Sequence, residues 1–477
     1  MPNSRQYART VLSFADSPPC KVCSLCACTI YCGKETRVNS VVKTIRIDPR
    51  DFIVGPYKKC PKCGQREFGV LSVHEKSITR RCRVRSCWHT STHMLPELRK
   101  KIIYLDQFVF SNFTKMLSPN APGHSRAKAE PFWREVFESI GVLCQMQLVV
   151  CPDSTEHLDE SVISPFYEEL KHTYEHFSTG ISFTRPAIIQ EGQLMVAFSA
   201  HLNGRKPAFD LNPERVTSGK LNGWNDRIFV TVDGMISGYK QAIKQGRRQA
   251  QSYLARIFKE WRKGGETFAQ AFEREKAAYS TETVKAYEKD RQKLMLVLAG
   301  QLPATFENFL GSANGSLVQE LVSAAKVAGL SPDQATEAVQ SFFQSGAINE
   351  TPANIIGASM WASLAMQAAA GQKTPPDEGM MTDINIASAL LPYCDALFVD
   401  RKCRSLLADI PKSHKLPYPC RVFSMANKNE FLQYLRDIRA SATPEHIALL
   451  QEVYGPSALE SPKNIYRVGE KRGNPNR

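Results

Sequence analysis

Two cysteine pairs, Cys60-Pro-Lys-Cys63 and Cys82-Arg-Val-Arg-Ser-Cys87, constrain this chain more tightly than any other feature. A CxxC turn followed by Gly64 makes a knuckle that aims two sulfurs at one point. A second pair facing it completes the four ligands that tetrahedral zinc takes at about 2.3 Å. The segment between the pairs, FGVLSVHEKSITRR, reads as a β-hairpin. So small a ribbon lacks apolar residues for a core of its own. A structural zinc, worth roughly 10–16 kcal/mol, is expected to hold it together. His89 and His93 lie close by and are read as surface residues rather than ligands.

Upstream, Cys20, Cys23, Cys26, Cys28 and Cys32 offer five sulfurs for four positions. They are read as a second zinc site with Cys20, Cys23, Cys28 and Cys32 as candidate ligands and one sulfur to spare. No βαβ pattern follows this CxxC, which argues against thioredoxin-like redox chemistry. Of 14 cysteines, nine fall within residues 20–87. Clustered CxxC pairs go with metal in a reducing compartment. The scattered Cys144, Cys151, Cys394, Cys403 and Cys420 read as small buried hydrophobes. No apolar run approaches the roughly 18 residues of a membrane span, and MPNSRQYARTVLSFADSPPC has no apolar leader core. A cytoplasmic protein without membrane contact is expected.

The net charge of +14 is unevenly spread. Residues 1–100 hold 19 Lys/Arg against 7 Asp/Glu, and residues 463–477 hold five against one. The stretch between is therefore nearly neutral. A basic appendage on a neutral body is the footprint of a polyanion-binding protein, and nucleic acid is the expected partner.

From Lys101 onward the pattern changes. KIIYLD (101–106), QMQLVVCP (145–152), DALFVD (395–400) and CRVFS (420–424) are short runs rich in Val, Ile and Phe, with helical stretches between them. Buried parallel strands read this way, so the body is expected to be an α/β sheet with crossover helices. The expected organisation is a cysteine-rich module over 1–100, a first part of the α/β domain over 101–184, a helical insertion over 185–350, a second part over 351–440, and a C-terminal helix with basic tail over 441–477. Within the insertion, residues 238–300 are rich in helix formers, and Gly264 and Gly265 are expected to split them. Segment 240–293 has 14 basic and 7 acidic residues. Tyr239, Tyr253, Trp261 and Phe268 are interleaved with those charges. They either stack on bases or form the buried stripe of an exposed helical hairpin, and the hairpin is the favoured reading. Ser331 is expected to cap the helix that follows it.

Four acids stand at corresponding places along this pattern. Asp106 ends the first strand. Glu160 falls one to two turns inside a helix capped by Ser154, after the second strand. Thr382-Asp383 is read as the opening of a helix, and Asp400 ends the strand ALFV. Open α/β sheets bind ligands beyond the carboxyl ends of their strands. Each acid alone has an ordinary reading as a helix cap or a solvated residue. Together they crowd one edge, and two carboxylates 5 Å apart repel by roughly 3 kcal/mol at an effective dielectric of 20. A hard divalent cation, Mg²⁺ or Mn²⁺, removes that repulsion and suits phosphodiester hydrolysis.

At these residues the chain resembles the PIN-like nucleases. The resemblance rests on Asp106 in IIYLDQ, Glu160 in CPDSTEHLDES, and Asp383 and Asp400 in TDINIASALLPYCDALFVDR. It covers roughly 101–180 and 350–440. It implies a Rossmann-like parallel sheet and a Mg²⁺/Mn²⁺-dependent endonuclease acting most often on RNA. Asp106, Asp383 and Asp400 would be the main ligands, with Glu160 as a ligand or water-orienting group. CPDSTEHLDE is similar to the "Ser…His-x-x-Glu" form of large PIN-like proteins, which places His157 beside Glu160. Three features depart from the simple pattern: the long insertion, Val399 where a Thr or Ser is usual, and Asp153 and Asp395 as rival acids. Several nucleases of this kind serve toxin or anti-phage systems, and that context is the expectation here; a toxic nuclease is then expected to need control by a regulatory partner protein. The alternatives are a non-enzymatic zinc-ribbon adaptor that binds nucleic acid or regulates, and a structural protein whose insertion drives oligomerisation.

Overall fold

The computed structural model describes residues 48–226, 239–303, 305 and 313–460. The chain divides into two compact units, Met1–Asp48 and Pro49–Arg477. The architecture below belongs to the second. The cysteines at 20, 23, 26, 28 and 32 lie outside the described residues, as does the basic tail.

The unit begins with an antiparallel sheet ordered β1-β2-β3-β4, made of Val54–Lys58, Phe68–His74, Ser77–Cys82 and Thr90–Met94. The expected hairpin is β2–β3, with His74 opposite Ser77 and Phe68 opposite Cys82. Phe68, Val70, Val73 and Ile78 are buried. Gly69 allows β1 and β2 to close: a Cβ there would stand 2.6 Å from the Tyr57 ring and 2.7 Å from the Val54 carbonyl. This ribbon does not stand alone. Val70, Val73 and Ile78 share a core with Leu95, Leu98, Trp224, Leu450 and Val453. The fully buried Arg80 donates Nη1 to the Pro56 carbonyl at 3.0 Å and Nη2 to the Glu452 carbonyl at 2.6 Å. The helix Pro444–Tyr454 is thereby fastened to the ribbon.

The body is a parallel sheet. β5 (Lys101–Leu105) pairs with β6 (Val149–Val150) on one side. A two-stranded annex follows, β7 (Ser182–Phe183) against β8 (Thr217–Ser218). β9 (Ala396–Phe398) then pairs with the other side of β5, and β10 (Arg421–Phe423) completes the order β10-β9-β5-β6. The four apolar runs therefore form one mixed α/β layer, as their composition predicts. β6 is shorter than the run over 145–152, because helix Pro131–Gln145 continues to Gln145 and the chain reverses at Gln147, whose φ is +57°.

Alternate residues of β5 serve two cores, the two-residue period of a strand covered on both faces. Ile103 and Leu105 pack with Phe110, Phe113, Trp133, Phe177 and Phe431, from helices on one side. Ile102 and Tyr104 pack with Ile356, Met360, Ile384 and Leu390, from helices on the other. Helix Pro352–Ala369 is apolar nearly all round and runs through this second core, as a wholly buried helix must. The inserted helices Tyr239–Trp261 and Phe268–Leu298 lean on the same core through Phe258, Trp261, Ala271 and Phe272. They break at Gly264 and Gly265, both left-handed, with φ of +69° and +97°. Further inserted helices close a satellite core around Leu194, Phe198, Leu321 and Phe342. Ser331 caps one of them, accepting from the Gln334 N–H. Among the described residues no helix is long and apolar enough to cross a membrane.

Candidate functional site

The cysteine cluster is the simpler of two candidate centres. Cys60 and Cys63 flank a tight knuckle: the Gly64 N–H bonds to the Cys60 carbonyl at 2.9 Å, and the Cys60 N–H bonds to the Gln65 carbonyl at 2.8 Å. Gly64 takes φ +76°, which the turn needs. The N–H groups of Cys87 and Trp88 both close on the Val84 carbonyl, forming the second knuckle. The four sulfurs lie within 4.8 Å of one another. Cys60 Sγ is 3.7 Å from Cys87 Sγ, and Cys63 Sγ is 3.6 Å from Cys82 Sγ. A tetrahedron with metal–sulfur bonds of about 2.3 Å has edges of roughly 3.8 Å, so this donor set fits a thiolate-bound metal such as zinc. Burial raises the Cys82 thiol. Burial also acts on Cys60, where the backbone N–H groups of Cys63 and Lys62 outweigh it and hold the thiol below its usual value. His89 stacks on Phe68 with ring centroids 5.6 Å apart, and His93 meets Ser91 at the surface, so neither joins the sulfurs.

The acids gather at the carboxyl edge of the parallel sheet. Asp106 follows β5, and its N–H bonds to the Phe398 carbonyl of β9 at 3.0 Å. Asp400 follows β9 and caps helix Arg401–Ala408, accepting the Cys403 N–H at 2.6 Å. Glu160 sits on helix Thr155–Val162, the first element after β6. Asp383 is not a helix opening, as the Thr-Asp pair suggests. Helix Gly379–Leu390 starts one turn earlier, so Asp383 projects from inside it.

These four chain segments converge electrostatically. The Asp106 carboxyl is raised well above the ordinary range, first by burial and then by Glu160 and Asp400. Asp383 is raised further, by burial and then by Asp106, Asp400 and Glu160. Beneath them, the buried Cys403 thiol feels Asp383, Asp106 and Asp400 after burial itself, and the buried Tyr104 phenol feels Asp106, Glu156, Glu160 and Asp383. Among the described residues the four thiols are the only ligand set with every atom within 4.8 Å; the carboxylates stand wider than that.

His157 holds this edge together. It is wholly buried. Its Nδ1 accepts the Ser154 N–H at 3.1 Å, and its Nε2 meets the Leu105 carbonyl at 2.8 Å. The ring is therefore neutral with its proton on Nε2, and burial holds its pKa down at about 4. It stacks on Tyr104, with centroids 5.2 Å apart. One residue thus completes the Ser154 cap and ties the helix carrying Glu160 to the strand that ends in Asp106.

The rival acids are elsewhere. Asp395 precedes β9, at the opposite end of the strand from Asp400, and binds Lys101 Nζ at 2.7 Å and the Ile102 N–H at 2.9 Å. Asp153 accepts from Ser178 and continues the sheet toward Ser182. Sequence reasoning missed Arg247. This guanidinium reaches from the inserted helix Tyr239–Trp261 to 3.5 Å from Glu160 and 3.9 Å from Glu378. It also missed Glu156 and Asp159, which line a cavity of about 330 Å³ with Glu160 and Arg247. The E-x-x-D-E spacing on one short helix was the available signal for those two; Arg247 had none.

No family model, curated protein or solved structure matches this chain.

Proposed function

We propose that the protein is a divalent-metal-dependent endonuclease of the PIN-like kind, cutting RNA, with a structural zinc in its cysteine ribbon. One observation carries the reading: carboxylates from four separate segments gather at the carboxyl edge of a parallel sheet, where burial and then the neighbouring carboxylates raise the proton affinity of Asp106 and Asp383. Structure maintained only for packing does not concentrate negative charge this way, because each added carboxylate costs stability.

All-oxygen donors suit Mg²⁺ or Mn²⁺ rather than zinc. Asp106, Asp383 and Asp400 would hold the ion, which polarises a phosphoryl oxygen and stabilises the leaving oxygen when bound. Glu160 would accept a proton from the attacking water or orient it. Asp400 keeps its orientation through the helix it caps, and His157 sets the distance between Glu160 and Asp106. Tyr104 and Cys403 stay protonated and close the floor against water.

The test is cleavage of single-stranded RNA with Mn²⁺, beside Asp106→Asn and Asp383→Asn. Loss of one ligand should reduce the rate by about 10²-fold or more. Cutting that survives in both variants would remove these acids from the chemistry.

A second reading is favoured by one feature of the ribbon. Lys58, Lys59, Lys62, Arg66 and Arg85 are exposed around the knuckles. An adaptor that binds nucleic acid through this face would show salt-sensitive binding untouched by loss of the four acids.

A further inference from the structure

The cavity at Glu160 and Arg247 does not end there. A second one, of about 400 Å³, opens between helix Tyr239–Trp261 and the helices Pro352–Ala369 and Gly379–Leu390. Gln190 and Asn385 line both cavities, so the two adjoin. The second is walled by Tyr253 and Trp361. Tyr253 is 44% exposed on a solvated helix, and the Arg256 guanidinium lies 5.5 Å from its ring centroid. The side-chain amides of Gln190 and Asn385 make no hydrogen bond to another described residue, so their donors and acceptors are available to a ligand. Two acids on this wall are already answered: Glu275 by Arg274 and Glu282 by Lys285.

The helix that roofs both cavities, Tyr239–Trp261, has six basic residues and one acidic residue. Arg248, Arg256 and Lys259 are exposed. Arg247 stands beyond hydrogen-bond distance from its carboxylates, so it is drawn to the acids without being locked to them. A guanidinium in that position presents the planar fork that phosphate accepts in two bonds.

We propose that the adjoining cavities form one cleft that takes a single unpaired nucleotide of a single-stranded nucleic acid, the base against Tyr253 and Trp361 and the phosphate beside Arg247. This rests on the nuclease reading and adds to it how the scissile strand is held. Stacking on an aromatic ring tolerates any base but requires that base to be out of a duplex. The free amides face the base edge, and the basic helix follows the backbone away from the acids. Single-stranded substrate is thereby selected by the inserted region, which the sheet alone does not supply.

The test separates holding from cutting. Binding of short labelled single-stranded RNA and DNA is measured by fluorescence anisotropy without added Mg²⁺ or Mn²⁺, using the full chain with its zinc. The protein is compared with Tyr253→Ala, Tyr253→Phe and Arg247→Ala, and a duplex of equal length is run alongside. Tyr253→Ala should weaken single-strand binding about tenfold, Tyr253→Phe by less than about twofold, and the duplex should bind worst. The RNA and DNA arms show which sugar is accepted. Unchanged binding in Tyr253→Ala, or a duplex that binds equally well, would overturn the cleft while leaving Mn²⁺-dependent cutting to stand on its own. Tyr253-dependent binding without any cutting would keep the cleft and sink the nuclease. Absence of both binding and cutting would end both proposals.

Discussion

At the ribbon, four sulfurs stand within 4.8 Å of one another at tetrahedral spacing, each positioned by a knuckle of backbone hydrogen bonds. At the sheet edge, four carboxylates stand wider, and Asp106 and Asp383 are pushed toward protonation by burial and then by neighbouring carboxylates. The first set is spaced to hold a single metal ion such as zinc. The second borders an open cavity and an arginine. The difference separates a donor set that a bound metal would make stabilising from a gathering of like charges that draws on fold stability. A closed tetrahedral set adds free energy when filled, whereas gathered like charges subtract it until a cation or a substrate arrives.

That contrast can be broken most forcefully at Cys82. Cys82→Ser should cost one equivalent of zinc by metal analysis and several kcal/mol of stability, on the order of half or more of what a structural zinc provides. Amide exchange should accelerate in the ribbon and in Pro444–Tyr454 together, because they share a core. Retained zinc in this variant would refute the ligand assignment. At the acidic edge, His157→Ala should destabilise by about 2–4 kcal/mol, through the cavity it leaves and the Leu105 carbonyl it orphans. Its effect on cleavage should exceed that of an equally destabilising core variant such as Leu143→Ala, since His157 also sets the acids' spacing. Equal effects would reduce it to packing.

The sharpest contrast is in sign. Asp383→Asn should raise the unfolding temperature in buffer without added divalent cation, by an amount corresponding to roughly 1–3 kcal/mol, while abolishing cutting. No ribbon cysteine should behave this way. A destabilised Asp383→Asn would mean that the carboxylate is a structural partner. The smallest effect is one of pH. Asp106 and Asp383 have raised folded pKa values, so their favourable contribution is complete below about pH 4 and is lost as pH rises through their folded values. His157 and His176 are both held down at about 4 by burial, so their contribution is present above roughly pH 6.5 and is lost as pH falls toward 4. Between about pH 4 and 6.5 the two pairs offset each other, so metal-free stability should fall as pH rises above roughly 6.5. Added Mn²⁺ should shift the unfolding temperature by a few degrees more at pH 8 than at pH 5.5. A shift independent of pH would separate the ion from these carboxylates.

Part of this arrangement is legible in the sequence. Strand ends at Asp106 and Asp400 were legible because short β-branched runs, flanked by helix formers, can only be buried strands. The ribbon was legible because sulfur spacing carries its own geometry. Asp383 was misplaced by a turn: Thr382-Asp383 mimics a cap, while the true start follows Glu378 at Gly379, a poor helix former that tertiary packing overrides. Arg247 and Glu160 are far apart in sequence and meet only through packing of the inserted helix, which no local pattern encodes. The completion of the ribbon core by Leu450 and Val453 is invisible for the same reason.

The order of strands in the parallel sheet has a consequence for the chain as it is made. β5 and β6 leave the ribosome early, but β5 must wait for β9 to cover its other edge, and Asp106 meets Asp400 only after about 290 further residues have been added. At bacterial-to-eukaryotic elongation rates of roughly 5–20 residues per second, that interval is about 15–60 s. Until Asp383 is added, at most two of the four acids can be in place. Whatever the assembled edge does, a chain truncated before Asp400 cannot do it, so completion of the sheet acts as a checkpoint on the site.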